Sequence, residues 1–380
     1  MNSPSSTRDA RLDALRGLFL IIMAAVHVPT PLSHWLQEPF GYVSSAEGFV
    51  FISASLAGLV YGRIYETRGW SWMAGKVWRR AGKVYAAQLG VLLPVALIAW
   101  SVAGALPPVA WHFHDFLQHP RTNLLLIPLL ARQPPLFDIL PLYVVFLGTT
   151  PLALAAARRW GWSRVLFLSF VLWVLAQFGP GIHIPGRPLG RITLHSGPFD
   201  LRAWQFLWIG GLALGQNATQ GRLLSGTRRW WSGLAACLLV GVGLLSRHGV
   251  LHTPPDLYLL MDKWSLGPLR VLNFGAWVLL LVAWNPQLSS WVLAGPALLG
   301  RQSLLVFSVH LPMVIIAACV VQSVDLSPAG QVGIGLLVIA GLFPVAFWQE
   351  RKAKRPTASG ATRQPEANGA GLPALYGSNA

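Results

Sequence analysis

Two ionisable residues in the first apolar stretch of the chain have a spacing that suits chemistry inside a membrane. Arg16 and His27 are eleven residues apart. On an α-helix this places both side chains on nearly the same face, about 16 Å apart along the axis. A guanidinium near the inner surface can hold a phosphate or carboxylate, and a neutral imidazole near mid-membrane can act as a general base. The alternative is that Arg16 only orients the helix and that His27 is a hydrogen-bonded packing residue.

Two carboxylates begin later apolar stretches and are further candidates. Glu47 opens the second stretch, where it can orient His27 and stabilise its protonated form; the alternative is an acid favoured by the helix dipole. Asp138 begins the fourth stretch in the sequence Phe-Asp-Ile-Leu-Pro. We expect it either to bind substrate or to cap the helix.

A third group lies in the ninth apolar stretch. Arg301 is predicted near the inner end of that helix, where it can pair with a donor phosphate, and Ser303 follows it. His310 is nine residues beyond Arg301, which is half a turn off the same face. This spacing argues against one shared wall, so these three residues are predicted only to bind substrate.

Other polar residues carry weaker signals. His112 and His114 can ligate a metal, but no acidic or cysteine partner has ligand spacing, so no metal is predicted. Asp262, Lys263 and Arg270 are interpreted as ordinary loop charges. The sequence contains no phosphate-binding G-x-x-x-x-G-K-[ST] loop, which argues against an ATP-driven pump. It also contains no G-x-S-x-G elbow and no H-E-x-x-H motif.

The composition indicates a membrane protein. Hydrophobic residues make up 54% of the 380 residues and charged residues only 11%, whereas about a quarter of the residues in a soluble domain are charged. The formal net charge is +16. Because Lys and Arg cluster in alternate loops, as membrane orientation requires, the bilayer and not a nucleic acid is the predicted partner. Cys237 and Cys319 lie in apolar runs and are interpreted as free packing residues.

The apolar segments predict an all-α polytopic membrane protein with about ten transmembrane helices and both ends in the cytoplasm. The predicted spans are 15–35, 44–62, 84–106, 136–156, 165–180, 203–217, 231–247, 269–284, 297–320 and 330–348. This orientation puts most Lys and Arg residues in loops on the cytoplasmic side, and the predicted location is the bacterial inner (cytoplasmic) membrane. We expect one membrane domain over residues 1–350, with an uncleaved first helix, and a disordered cytoplasmic tail over 351–380.

In these segments the sequence resembles the OpgC family of membrane proteins. The resemblance rests on seven motifs in order along most of the membrane domain: RLDALRG at 11–17, His27 with Pro29, AEGFVFIS at 46–53, FDILPLY at 137–143, AWQ at 203–205, PLRVLNF at 268–274, and LGRQSL at 299–304 with His310. The family is similar to the larger membrane acyltransferase-three superfamily, which is marked by a basic residue, ten residues and then a histidine. Arg16 and His27 match that spacing.

The resemblance implies an O-acyltransferase. The donor would be cytoplasmic acyl-CoA, either succinyl-CoA or acetyl-CoA, and the acceptor would be a hydroxyl of a periplasmic glucan or another envelope glycan. The founding activity transfers succinyl groups, and no permanently bound cofactor is expected. The sequence departs from the family at Val26, where an acid commonly precedes the histidine, and at Ala54, where glycine is usual. These departures bear on the proton relay and on the acceptor.

The residues and the resemblance together predict a mechanism. Arg16, Arg301 and the basic patch at 79–83 hold the donor phosphates, and the thioester reaches His27. Backed by Glu47, His27 either deprotonates a sugar hydroxyl or carries the acyl group transiently. Trp111 and Trp204 either stack on sugars or anchor the protein at the membrane interface.

Two other classes of protein stay open. A transporter or flippase for a glycan or lipid precursor would also need buried polar residues and ten helices, but it would release no CoA. In a non-catalytic scaffold, His27→Ala would change only stability. The sequence leaves the oligomeric state open.

Overall fold

The computed structural model describes residues 10–102, 109, 113–130, 133–178, 198–219, 229–252, 254–284 and 289–354. These residues contain no strand, which confirms the all-α prediction for this part of the chain. Trp111, His112 and residues 355–380 of the predicted tail lie outside the described residues. The α-helices within them are α1 Ala10–His27, α2 Ser33–Leu36, α3 Ser45–Arg68, α4 Trp70–Val102, α5 His114–Gln118, α6 Pro120–Leu126, α7 Ile139–Trp160, α8 Trp162–Gln177, α9 Leu201–Thr219, α10 Arg229–Arg247, α11 Pro268–Trp284, α12 Ser290–Arg301, α13 Ser303–Ser323 and α14 Pro328–Lys354.

The long helices carry the apolar surface of a membrane protein. Within the described residues, five helices (α3, α4, α7, α13 and α14) are long and apolar enough to cross a bilayer. Three shorter apolar helices, α8, α10 and α11, accompany them. The most apolar windows of α4 and α14 are only 28% and 22% buried, so both helices present leucine and tryptophan side chains outward. The count of ten spans and their orientation stay predictions.

The two ends of the helix bundle differ in chemistry: one holds a cavity and the other holds arginine side chains. At one end, the C-terminus of α1 and the segments that begin α3, α7, α9 and α11 surround a cavity. We call this the cavity end. At the other end, Glu66 contacts Gln216, and Arg158 lies over Tyr65 at 4.7 Å from the ring centroid. We call this the basic end, because the arginines that end α3 and α7 lie there.

Small residues allow two close helix pairs. A Cβ added at Gly58 of α3 would overlap the carbonyl of Leu212, and one at Gly215 of α9 would overlap the carbonyl of Ser55. Small residues on both helices therefore let α3 and α9 pack closely. The same arrangement joins α1 to α12, where a Cβ at Gly17 would overlap the carbonyl of Pro296.

The structure corrects the predicted ninth span at 297–320. Its first residues belong to α12, and the chain breaks at Gln302 (φ −104°, ψ 24°) before α13 begins. Contacts of Gly17 with Pro296 and of Gly300 with Asp13 show that α12 runs antiparallel to α1. The polar residues Arg301, Gln302 and Ser303 lie at the break. The predicted span joined the apolar runs on either side of them, and hydrophobicity alone does not show that the helix changes direction there.

The predicted first span at 15–35 also differs from the structure. Helix α1 ends at His27, because Pro29 and Pro31 follow and cannot continue it. His27 is therefore the last residue of its helix and lies at the cavity end, rather than in the middle of a longer helix.

Candidate functional site

The structure joins α1 and α13 at two levels. At the lower level, Arg16 donates a hydrogen bond from Nη2 to Oγ of Ser303. Both side chains are buried, and the Arg16 guanidinium carbon lies 5.7 Å from the centroid of the Phe49 ring. A buried guanidinium held by a hydroxyl and an aromatic ring is oriented for an anionic group. We call these two residues the Arg–Ser pair.

At the upper level, the imidazoles of His27 and His310 stack with ring centroids 5.8 Å apart and an interplanar angle of 21°. His27 is eleven residues above Arg16, and His310 is seven residues above Ser303. The order of these contacts shows that α1 and α13 run in the same direction. We call the two imidazoles the His pair. The half-turn offset between Arg301 and His310 was predicted for one continuous helix, and it does not apply because the break at Gln302 separates them. His310 of α13 meets His27 of α1 instead.

The protonation of His310 follows from its hydrogen bond. Its Nδ1 lies 2.5 Å from the backbone carbonyl oxygen of Phe307. A carbonyl only accepts, so Nδ1 carries the hydrogen and Nε2 of the neutral ring is left as an acceptor. Nε2 is buried and has no hydrogen-bond partner among the described residues. The His pair therefore contains one unprotonated ring nitrogen whose orientation is fixed by the Phe307 hydrogen bond.

Aromatic rings connect the two levels. Phe49 of α3 stacks on Phe307 of α13 with centroids 6.1 Å apart, and Phe307 meets the His310 ring edge to face at 4.8 Å. Gly48 allows α3 to approach, because a Cβ there would overlap the ring of Phe19. These rings pack between the level of the Arg–Ser pair and that of the His pair.

A cavity of about 790 Å³ is lined by His27 of the His pair. This volume lies within the usual range for small-molecule sites. His27 and Asp138 both line the cavity, so the structure brings these two predicted residues together. Asp138 precedes α7 but its side chain makes no capping hydrogen bond, so the capping interpretation is not supported.

The predicted role of Glu47 behind His27 does not fit the contacts. Glu47 is fully buried and accepts hydrogen bonds from the Ser44 backbone N–H (3.0 Å) and hydroxyl, forming a capping box at the start of α3. Its second oxygen accepts from Nη1 of Arg270 at 2.7 Å. Since these partners occupy both oxygens, Glu47 positions the helix start and makes no hydrogen bond to His27.

Sequence reasoning missed Arg270, which it interpreted as a loop charge. Arg270 is only 3% exposed and also donates to Glu38 and, at 2.9 Å, to the carbonyl of Met261. Arg247 donates to the other oxygen of Glu38 at 2.7 Å. Burial raises the pKa of the Glu38 carboxyl, but the Arg270 and Arg247 guanidiniums outweigh burial and hold it below its usual value. The match of residues 268–274 to a family motif was the available signal.

Two other predicted residues lie away from the His pair. Arg301 ends α12 at the basic end and forms an ion pair with Glu350 at 3.0 Å. Trp204 is fully buried, and its Nε1 donates to the carbonyl of Trp264 at 3.1 Å. Trp204 therefore cannot stack on a sugar. His114 lines the cavity, and the described residues contain no group of three or more His, Cys, Asp or Glu side chains placed to hold a metal. Cys237 and Cys319 are free.

The fold and the site define an all-helical membrane protein in which polar side chains extend from a buried arginine to a cavity at one end of the helices. The chain matches the family model described as OpgC protein over residues 8–354, and it therefore belongs to the OpgC family. No curated protein and no solved structure matches it.

Proposed function

We propose that the protein is a membrane O-acyltransferase that moves an acyl group, such as succinyl, from cytoplasmic acyl-CoA to a hydroxyl of a periplasmic glucan or another envelope glycan. The observation that carries the proposal is His27 on the wall of the cavity, stacked on His310 behind it. The Arg–Ser pair lies about 16 Å below His27 along α1, at about 1.5 Å per residue. Membership of the OpgC family supports the same reaction class.

The arrangement of charges supports a cytoplasmic donor. The basic end carries the arginines that the positive-inside rule assigns to the cytoplasm, so the cavity end faces the periplasm. In this orientation Arg16 pairs with an anionic group of acyl-CoA, and the extended pantetheine arm carries the thioester toward His27. Arg301, held by Glu350 at the same end, is the second candidate for a donor phosphate.

The chemistry requires one base and one displaced thiolate. His27 accepts the proton of the sugar hydroxyl, the hydroxyl oxygen attacks the thioester carbonyl, and the C–S bond breaks to release CoA. The proton on His27 then passes to the thiolate, so the products are the glycan ester and free CoA. Because His310 stacks on His27, it holds the imidazole at the cavity wall. In the alternative pathway, His27 attacks the thioester itself and an acyl-imidazole transfers the group in a second step.

A transporter without acyl chemistry is the competing function, and release of CoA separates the two. Purified protein in detergent is incubated with succinyl-CoA or acetyl-CoA and a glucan acceptor, and free thiol is measured over time. We expect thiol release that needs the acceptor and falls at least about a hundredfold in His27→Ala, because a general base contributes about 10²–10⁴-fold. Absence of thiol release with either donor, from folded protein, contradicts the proposal.

A further inference from the structure

The segment that precedes α11 is firmly fixed at the edge of the cavity. The carbonyl of Trp264 accepts hydrogen bonds from the Asp200 backbone N–H at 3.0 Å and from Nε1 of Trp204 at 3.1 Å. Two residues further on, the carbonyl of Leu266 accepts from Nε1 of Trp173 at 2.9 Å. Since these bonds use the backbone, they hold the segment in place and leave the Trp264 side chain available.

The Trp264 indole faces the cavity. Its side chain is 42% exposed, although its neighbour Trp204 is completely buried. Phe199 supports the ring edge to face, with centroids 5.4 Å apart, and the Lys263 ammonium lies 5.2 Å from the indole centroid. A rigid, supported aromatic surface at the wall of a cavity is suited to binding the apolar face of a ligand.

Charged groups of both signs surround that surface. Lys263 and Asp138 line the same cavity. An ammonium donates hydrogen bonds and a carboxylate accepts them. Each hydroxyl of a sugar can do both, while the C–H groups of a pyranose ring form an apolar face. The three side chains are therefore complementary to a neutral sugar ring.

We propose that Trp264, Lys263 and Asp138 form the subsite that holds one pyranose ring of the acceptor and directs a hydroxyl of the acceptor toward His27. This inference rests on the proposed function for the identity of the acceptor, and it adds where that acceptor binds. The ring lies on the indole of Trp264, and the two charged side chains bond its hydroxyls.

The test measures sugar binding without any acyl donor. Wild-type protein in detergent and the variants Trp264→Ala, Trp264→Phe and Lys263→Met are titrated calorimetrically with neutral gluco-oligosaccharides: maltotetraose, cellotetraose and laminaritetraose. Trp291→Ala is the matched control, because Trp291 is 80% exposed on α12 and lies outside the cavity lining. We expect binding of at least one tetraose, weakened about tenfold in Trp264→Ala, partly restored in Trp264→Phe and unchanged in Trp291→Ala.

The outcomes separate the subsite from the reaction. Binding of a tetraose that Trp264→Ala weakens, with no CoA release by the wild type, supports the subsite and contradicts the acyltransferase. Acyl transfer by the wild type with equal sugar binding in wild type and Trp264→Ala overturns the subsite and leaves the enzyme. Failure of the wild type to bind any tetraose also overturns the subsite. If Trp264→Ala does not accumulate in the membrane, the tetraose affinities of Trp264→Phe and Lys263→Met test the subsite instead. Weaker binding than in wild type supports the subsite, and equal binding overturns it.

Discussion

Glu47 is completely buried, and its carboxylate binds two partners: one oxygen accepts a hydrogen bond from Arg270 and the other accepts from Ser44. Ser44 lines the cavity beside His27, so the ion pair fixes one wall of the site. Glu38 and Arg247 continue the network to α10. Four charges of alternating sign thus connect the segment after α1 with the beginnings of α3 and α11 and the end of α10.

Removal of Arg270 should destabilise the protein strongly. Arg270→Met leaves the Glu47 carboxylate buried without a counter-charge, which costs about 3–5 kcal/mol in comparable buried pairs. Denaturation in detergent micelles measures the free energy of unfolding. Arg247→Met is the matched control, because that guanidinium is 20% exposed, and we expect a loss of about 1 kcal/mol. Equal losses for the two variants would contradict this account of Arg270.

The Glu38 pair should give stability that depends on pH. The lowered pKa of Glu38 means that its stabilisation is complete above the pKa of the unfolded chain. That stabilisation is lost as pH falls through the lower folded value. We therefore expect wild type to lose more stability than Glu38→Gln between about pH 6 and about pH 3. Thermal unfolding across that range measures it, and parallel curves for both proteins would exclude a stabilising ion pair.

The contact between α1 and α12 should tolerate no side chain at Gly17. A methyl group there overlaps the carbonyl of Pro296, so Gly17→Ala forces the helices apart and should lower the membrane level of folded protein. Gly82→Ala is the control, because nothing lies within 4 Å of a Cβ at Gly82 on α4. Helix propensity should make that variant up to about 1 kcal/mol more stable. Normal accumulation of Gly17→Ala would show that the approach is not close.

Ser303 should matter for the donor and not for the acceptor. Ser303→Ala removes the hydrogen bond that orients Arg16, and a bond to a charged group contributes about 1.5–3 kcal/mol. We expect the KM for acyl-CoA to rise about tenfold while the KM for the glucan stays the same. Steady-state thiol release measures both constants. Ser308→Ala on the same helix is the control, since that hydroxyl only bonds the Leu304 carbonyl of its own helix; equal effects would remove Ser303 from donor binding.

The sequence predicted the helical class, the approximate position of most helices and the placement of Arg16 and His27 on one face of α1. Apolar segment length and helical spacing carry that information locally. The contacts of His27 with His310 and of Glu47 with Arg270 join residues more than 200 positions apart, and one sequence contains no signal for such distances. The break at Gln302 was missed for a different reason: the apolar runs before Gly300 and after Ser303 were joined into one span across three polar residues. The sequence pointed to Trp204 as a sugar-stacking residue, but Trp204 is buried and Trp264 is the exposed indole. Which of the two is exposed depends on packing.

The most direct test of the account weighs the periplasmic glucans of a host that lacks this activity. The host expresses wild type, His27→Ala or His34→Ala at equal membrane levels, and His34 is the control because it is exposed at the cavity end. Mass spectrometry should show an added succinyl or acetyl mass with wild type and with His34→Ala, and none with His27→Ala. The same added mass with His27→Ala would contradict the central claim that His27 performs the transfer.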